Sequence, residues 1–86
     1  MAYRVEFKTE ALAEIERLSP TNQERVLRKI RWLGDHFEQL TPQALTGNLS
    51  GLFKLRIGDY RSLYSFNDET ELITIHRIGH RSGIYL

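Results

Sequence analysis

Apolar and polar positions alternate from the start of the chain. Tyr3, Val5 and Phe7 share one side of residues 2–7, which predicts a strand. The period then lengthens. Ala11, Leu12, Ile15 and Leu18 form an apolar stripe at helical spacing, with Thr9 as a candidate N-cap, so a helix is predicted over about residues 10–18. Ser19-Pro20 breaks it and opens a second helix, where Pro suits the first turn and Thr21 with Glu24 resembles a capping box. In that helix Val26, Ile30, Leu33 and Phe37 recur on one face. Residues 41–51, carrying Pro, Gly, Asn and Ser, read as connection.

Beyond Gly51 the period returns to two. Residues 52–57 alternate apolar with basic, Gly58-Asp59 reads as a turn, and residues 60–66 are rich in aromatics. Asn67-Asp68-Glu69-Thr70 is a second turn, and residues 72–78 form a further strand with three Ile. Residues 79–83 read as a loop leading to Ile84 and Tyr85. The order β-α-α-β-β-β predicts an α+β domain with a helical hairpin on one face of a small, largely antiparallel sheet. Residues 1–86 make a single domain without repeats or linkers.

Composition narrows the chemistry. With 86 residues and no Cys, disulfide scaffolds, thiolate zinc sites and cysteine nucleophiles are excluded, and a reducing compartment is permitted. No apolar run approaches the ~18 residues of a membrane span, and Met-Ala-Tyr-Arg opens straight into structure rather than a leader. The expectation is a cytoplasmic protein without membrane partners. Lys and Arg number 12 against 11 Asp and Glu, for a net charge of +1. No bulk basic field exists, so a nucleic-acid role has to rest on where the charges fall.

Their placement is suggestive. On the third predicted strand Phe53, Leu55 and Ile57 share one face, and Lys54 and Arg56 project from the other. Arg61 begins the next strand beside them. Its own strand is ambiguous, because Leu63 shares its face while Tyr60, Tyr64 and Phe66 share the opposite one. With Arg81, His80 and Tyr85 from the last loop, four cations, a histidine and a tyrosine can converge on the uncovered sheet face. Arg forks, a Lys point charge and a stacking ring suit phosphodiester chemistry. The same residues also fit plainer roles. Alternating Lys and Arg can be a solvated edge, Arg61 can pair with Asp59, and Tyr85 can simply be packed. Arg25, Arg28, Lys29 and Arg31, interleaved with Trp32, could rest on an RNA backbone or form a solvated helix face with Trp32 partly in the core. His76 and His80 lack the Cys or carboxylate company a metal site needs, so no metal or other cofactor is expected.

Two stretches carry a resemblance. LTGNLSGLFKLRIGDYRSLY, residues 45–64, and IHRIGHRSGIY, residues 75–85, resemble together the signature of the RelE/ParE toxin superfamily. The likeness spans essentially the whole chain and implies the toxin of a type II toxin–antitoxin system, with the helical-hairpin-on-sheet fold. In its motifs the chain is similar to the RelE branch, which implies a ribosome-dependent endoribonuclease. Such an enzyme cuts messenger RNA in the decoding site through the RNA's own 2′-hydroxyl and needs no metal, which inhibits translation.

The partners implied are a cognate antitoxin and the ribosome with its message. Carried onto matching positions, Lys54 and Arg56 take the place of the strand-borne basic pair and Arg61 that of the phosphate-binding arginine. Arg81 falls where an arginine stabilises the transition state or helps protonate the leaving group, and Tyr85 where a ring stacks on or orients the cleaved nucleotide. Arg56 stands where some RelE enzymes have a second lysine, and an arginine is a poor proton acceptor. His80, beside Arg81, is therefore a candidate acid or base. Many members continue into a C-terminal helix, which residues 1–86 do not include. The alternatives are a ParE-like inhibitor that binds DNA gyrase without catalysis and a degenerate module that only binds antitoxin.

Overall fold

The computed structural model describes residues 2–85. Along the chain come β1 (Arg4–Phe7), α1 (Thr9–Glu16), α2 (Pro20–His36), β2 (Gln43–Ala44), β3 (Phe53–Ile57), β4 (Tyr60–Asn67) and β5 (Leu72–His80), with 3₁₀ turns at Phe37–Gln39 and Gly47–Leu49. The sheet order is β1-β5-β4-β3-β2. The first and last strands pair in parallel and all other neighbours are antiparallel. This is the predicted α+β arrangement with one strand added. The addition, β2, makes two rungs, Gln43 opposite Lys54 and Ala44 opposite Phe53, too few to leave a period in the sequence.

The α2 stripe is buried as its spacing predicts. Val26, Ile30, Leu33 and Phe37 join Leu55, Ile57, Tyr64, Ile73, Ile75 and Ile78 in one core, with Ala11 and Ile15 of α1. Leu12 departs from the prediction, being 48% exposed. At 100° per residue it stands a full step off the line through Ala11 and Ile15, and an eight-residue helix buries little more than that line. Leu18 falls beyond the helix end and packs on the core's margin.

The helix starts also differ in detail. Lys8, not Thr9, is the N-cap of α1, and its side chain makes no capping bond. Its N–H completes the sheet at the Ile75 carbonyl (2.9 Å) and its carbonyl accepts from Leu12 (3.1 Å), so β1 runs into α1 with no free residue between them. For α2 the cap is Ser19, whose hydroxyl accepts from the Asn22 N–H, with Pro20 opening the first turn. The predicted Thr21–Glu24 box does not form. Glu24 pairs instead with Arg28 one turn on.

Two features of the sheet decide what faces outward. On β4, Tyr64 and Phe66 join the helix-side core and Tyr60 packs at its edge, so alternation sends Arg61, Leu63 and Ser65 to the open side. The ambiguity of that strand is thereby resolved. On β5, Leu63 faces Arg77 but Tyr64 faces Ile75, which leaves His76 as the extra residue of a bulge. Without the bulge Ile75 and Ile78 would lie on opposite faces; with it both enter the same core. The strand also runs farther than predicted. Gly79 and His80 make rungs with Arg61 and Tyr60, so the loop begins at Arg81. Where β1 ends opposite Ile75, Glu14 of α1 closes the exposed edge of β5. Its carboxylate accepts the Ile78 N–H (2.9 Å) and a bidentate bond from the Arg77 guanidinium. That pairing raises the Arg77 guanidinium above its ordinary range.

Candidate functional site

On the open face the sheet carries two further buried apolar residues. Leu63 (1% exposed) and Ile84 (4%) are buried yet stand outside the helix-side core. Ile84 returns across the sheet to sit on Gly79, where a Cβ would lie 3.4–3.7 Å from its side chain. Glycine there leaves a seat for a branched side chain, and the seat anchors residues 81–85 against the sheet. The segment is then tied by its backbone. Arg81 N–H donates to the Asp59 carbonyl (2.8 Å), and Gly83 and Ile84 both donate to the His80 carbonyl (3.0 and 3.1 Å).

This anchored turn closes an open cavity of about 400 Å³, lined by Lys54, Arg61, Arg81, Ser82 and Tyr85. Three cations and a tyrosine 39% exposed thus come together from β3, β4 and the C-terminal turn, with no Asp or Glu among the described lining residues. Arg61 does not pair with Asp59. One of its guanidinium nitrogens donates to the carbonyls of Gly58 (2.9 Å) and Tyr60 (2.8 Å). These bonds brace the arm against the β3–β4 turn and leave its other N–H groups for a ligand. Such a cavity is suited to an anion with several oxygens, because the donors are held in place before the ligand arrives.

Arg56 is placed elsewhere. Register sets its Cα opposite Arg61, but β2 covers the edge of β3 only at Phe53 and Lys54. At Arg56 the edge is open, and the residue lines a groove of about 390 Å³ with Arg25, Arg28, Lys29, Trp32, Ile57 and Gly58. Trp32 is not part of the core. It is 36% exposed, with the Lys29 ammonium 3.7 Å over its ring and the His36 ring stacked at 5.2 Å. Lys54 borders both this side and the cavity, since it also lines a smaller cleft with Lys29, Trp32 and Arg56. Arg31 does not line that groove, though it shares another cleft on α2 with Arg28. It faces the β1 side of α2, beside Tyr3, Val5, Phe7 and Asp35.

His76 and His80 each bond a serine. His76 Nε2 lies 2.8 Å from Ser65 Oγ, and its imidazole is pushed down by burial and the Lys8 ammonium against the pull of Glu10. His80 Nδ1 lies 2.8 Å from Ser82 Oγ and accepts the Ser82 N–H at 3.2 Å. Among the described residues no group of three or more His, Asp and Glu side chains could hold a metal ion, and no helix is long and apolar enough to cross a membrane. Sequence reasoning passed over Ser82, Gly79 and Ile84. The spacing of Ser82 two residues after His80 is the local signal for the first; the seat of Ile84 on Gly79 leaves none.

The sequence and the fold have counterparts. Residues 5–85 match the family model described as ParE toxin of type II toxin–antitoxin system, parDE. The chain is 34% identical to Toxin RelG of Mycobacterium tuberculosis, over 99% of this chain and 98% of that one. The toxin–antitoxin complex RelBE2 from Mycobacterium tuberculosis superposes with a TM-score of 0.85 at 30% identity, covering 95% of this chain and 94% of the other. The archaeal RelE–RelB complex from Pyrococcus horikoshii gives 0.72 at 26% identity, over 96% and 99%. The chain therefore belongs to the RelE/ParE superfamily, as a toxin of a type II toxin–antitoxin system.

Proposed function

We propose that this toxin is a ribosome-dependent endoribonuclease that cuts messenger RNA in the decoding site. The observation that carries the reading is the convergence of Lys54, Arg61, Arg81 and Tyr85 on one open cavity with no Asp or Glu among its described lining residues. Cleavage by the RNA's own 2′-hydroxyl transfers the phosphorus from the 5′-oxygen to the 2′-oxygen. The products are a cyclic phosphate and a free 5′-hydroxyl, with one proton leaving the nucleophile and one reaching the leaving oxygen. Negative charge builds on the phosphoryl oxygens in between, and three preorganised cations are a means to hold it. In this reading Arg61 and Lys54 grip the phosphate, Arg81 stabilises the transition state beside the leaving oxygen, and Tyr85 stacks on a base.

Arg56 has another task. With Arg25, Arg28 and Lys29 it lines the α2 groove, where cations suit the backbone of RNA away from the scissile bond. A cognate antitoxin is the second partner, by likeness to relatives crystallised as RelB-bound complexes. The activity test is cleavage of a defined message on translating ribosomes. The wild-type chain should cut within codons, and Arg81→Ala should be about 10²–10³ slower, the usual worth of one preorganised donor. An intact message with wild-type protein, or undiminished cutting by Arg81→Ala, overturns the reading.

The match of residues 5–85 to the ParE model favours a second reading, inhibition of DNA gyrase by binding alone. Loss of supercoiling without any RNA cleavage is its signature.

A further inference from the structure

We propose that His80 is a positioning residue. Its ring acts as a fixed hydrogen-bond acceptor that shapes the 81–85 turn and thereby sets Arg81 and Tyr85 at the cavity; it exchanges no proton with RNA. The inference rests on the cleavage reading for its activity consequence and on geometry for the rest.

The geometry identifies the tautomer. A backbone N–H can only donate, so the contact from Ser82 N–H to His80 Nδ1 at 3.2 Å requires a bare lone pair on that nitrogen. The proton of the neutral ring then sits on Nε2. The Ser82 hydroxyl, 2.8 Å from the same nitrogen, shares that single lone pair with the N–H in a three-centre contact. The His80 carbonyl meanwhile receives the N–H groups of Gly83 and Ile84. One residue thus accepts four hydrogen bonds from the three residues that link Arg81 to Tyr85.

The ring is itself held. His80 is the last residue of β5 and pairs with Tyr60, whose ring meets the imidazole edge-on at 5.8 Å. Strand pairing therefore fixes the backbone of His80 and Tyr60 restrains its ring. The turn hangs from that fixed point at one end and from Ile84 on Gly79 at the other. Arg81 lies between the two anchors and Tyr85 follows directly on the second.

Side-chain isosteres separate this role from acid or base chemistry. The Asn Oδ1 occupies the place of Nδ1, one bond from Cγ, and asparagine commonly accepts from the N–H two residues on. Glutamine reaches instead toward the Nε2 position and leaves the Nδ1 place empty. The experiment compares His80→Asn, His80→Gln and His80→Ala in two measurements. In single-turnover cleavage on programmed ribosomes, His80→Ala and His80→Gln should fall about 100-fold, the scale of a 1 Å misplacement. The affinity for the ribosome should hold, and His80→Asn should recover most of the rate. In amide NMR of the free chain, Ser82, Gly83 and Ile84 should lose their turn shifts and exchange protection in His80→Ala and keep them in His80→Asn, while the β4 and β5 amides stay native in both. Cleavage by His80→Asn as slow as by His80→Ala, or turn amides unmoved in His80→Ala, overturns the proposal. If wild-type protein leaves the message intact, the cleavage reading fails, and the amide measurement still decides the placement of the turn.

Discussion

The two faces of the sheet are built on different principles. The helix side is a continuous apolar core in which α1, α2, β3, β4 and β5 all take part. The open side buries Leu63 and seats Ile84 on Gly79, and otherwise depends on backbone and side-chain hydrogen bonds, among them those around residues 59–61 and 80–84. A face stabilised by area tolerates small local changes and fails as a whole. A face assembled from a few directed bonds fails locally and leaves the rest standing. The cavity lies on the second kind of face. Its donors can therefore be aimed by local chemistry while the distant core supplies stability.

Substitution in the core should produce the largest effect. Ile75 is fully buried at the crossing of β1, β4 and β5. Ile75→Ala removes packed methyls and leaves a cavity, at a cost of about 2–5 kcal/mol. Urea unfolding should show a lower midpoint with an unchanged slope. Ile84→Ala is the counterpart on the open face. The Ile84 seat holds only the final turn, so global stability should drop by about 1 kcal/mol or less, because the loss is confined to a local opening. Activity should fall about 100-fold as Arg81 and Tyr85 lose their placement. A loss of stability for Ile84→Ala equal to that of Ile75→Ala would erase the distinction between the faces.

Glu14 tests the junction where β1 ends and β5 is exposed. Glu14→Gln keeps the shape but removes the charge opposite Arg77, and its amide can accept at only one oxygen. The Ile78 N–H and the Arg77 fork can no longer both be satisfied as they are now. The expected loss is about 1–3 kcal/mol, read by unfolding, with faster amide exchange at Ile78 than elsewhere in β5. A gain is expected at Ser62. Its hydroxyl is buried without a partner, opposite Leu55 and Ile78. Ser62→Ala removes an unsatisfied group and should stabilise by up to about 1 kcal/mol; a clear loss would mean that the hydroxyl finds a partner.

The same contrast explains what the sequence reveals. Period alone marks the Val26–Ile30–Leu33–Phe37 face, the three later strands and the hairpin-on-sheet class, because burial of an extended face imposes repetition on the chain. Lys54, Arg61, Arg81 and Tyr85 are legible as types suited to phosphate and as positions in a family motif, and they meet at one cavity. Arg56 shows the limit. Alternation gives its face correctly, but the two-residue length of β2 decides that the edge beside it is open to α2, and so short a strand leaves no period to read. The His76 bulge is equally hidden. It shifts every later residue of β5 by one face, and nothing local in the sequence announces it. Bonds such as Glu14 to Arg77 join positions far apart in the chain, and no pattern within either segment encodes them.

The smallest effect concerns that bulge and has a definite sign. Burial and the Lys8 ammonium hold the His76 imidazole below its ordinary value of 6.5, opposed by Glu10. The folded chain therefore binds a proton at His76 less readily than the unfolded chain does. Stability from this group is present in full above the ordinary value and is lost as pH falls through the depressed one. His76→Gln, whose amide reaches toward the Nε2 position, keeps a polar partner for Ser65 and has no proton to gain. Between pH 7.5 and pH 5.5 the urea midpoint should fall less for His76→Gln than for wild type. The carboxylates that also titrate at the acid end are common to both proteins and cancel in the comparison. Equal falls would show that the bulge leaves His76 as open to water as it is in the unfolded chain. The open face near β1 would then be softer than its hydrogen bond to Ser65 implies.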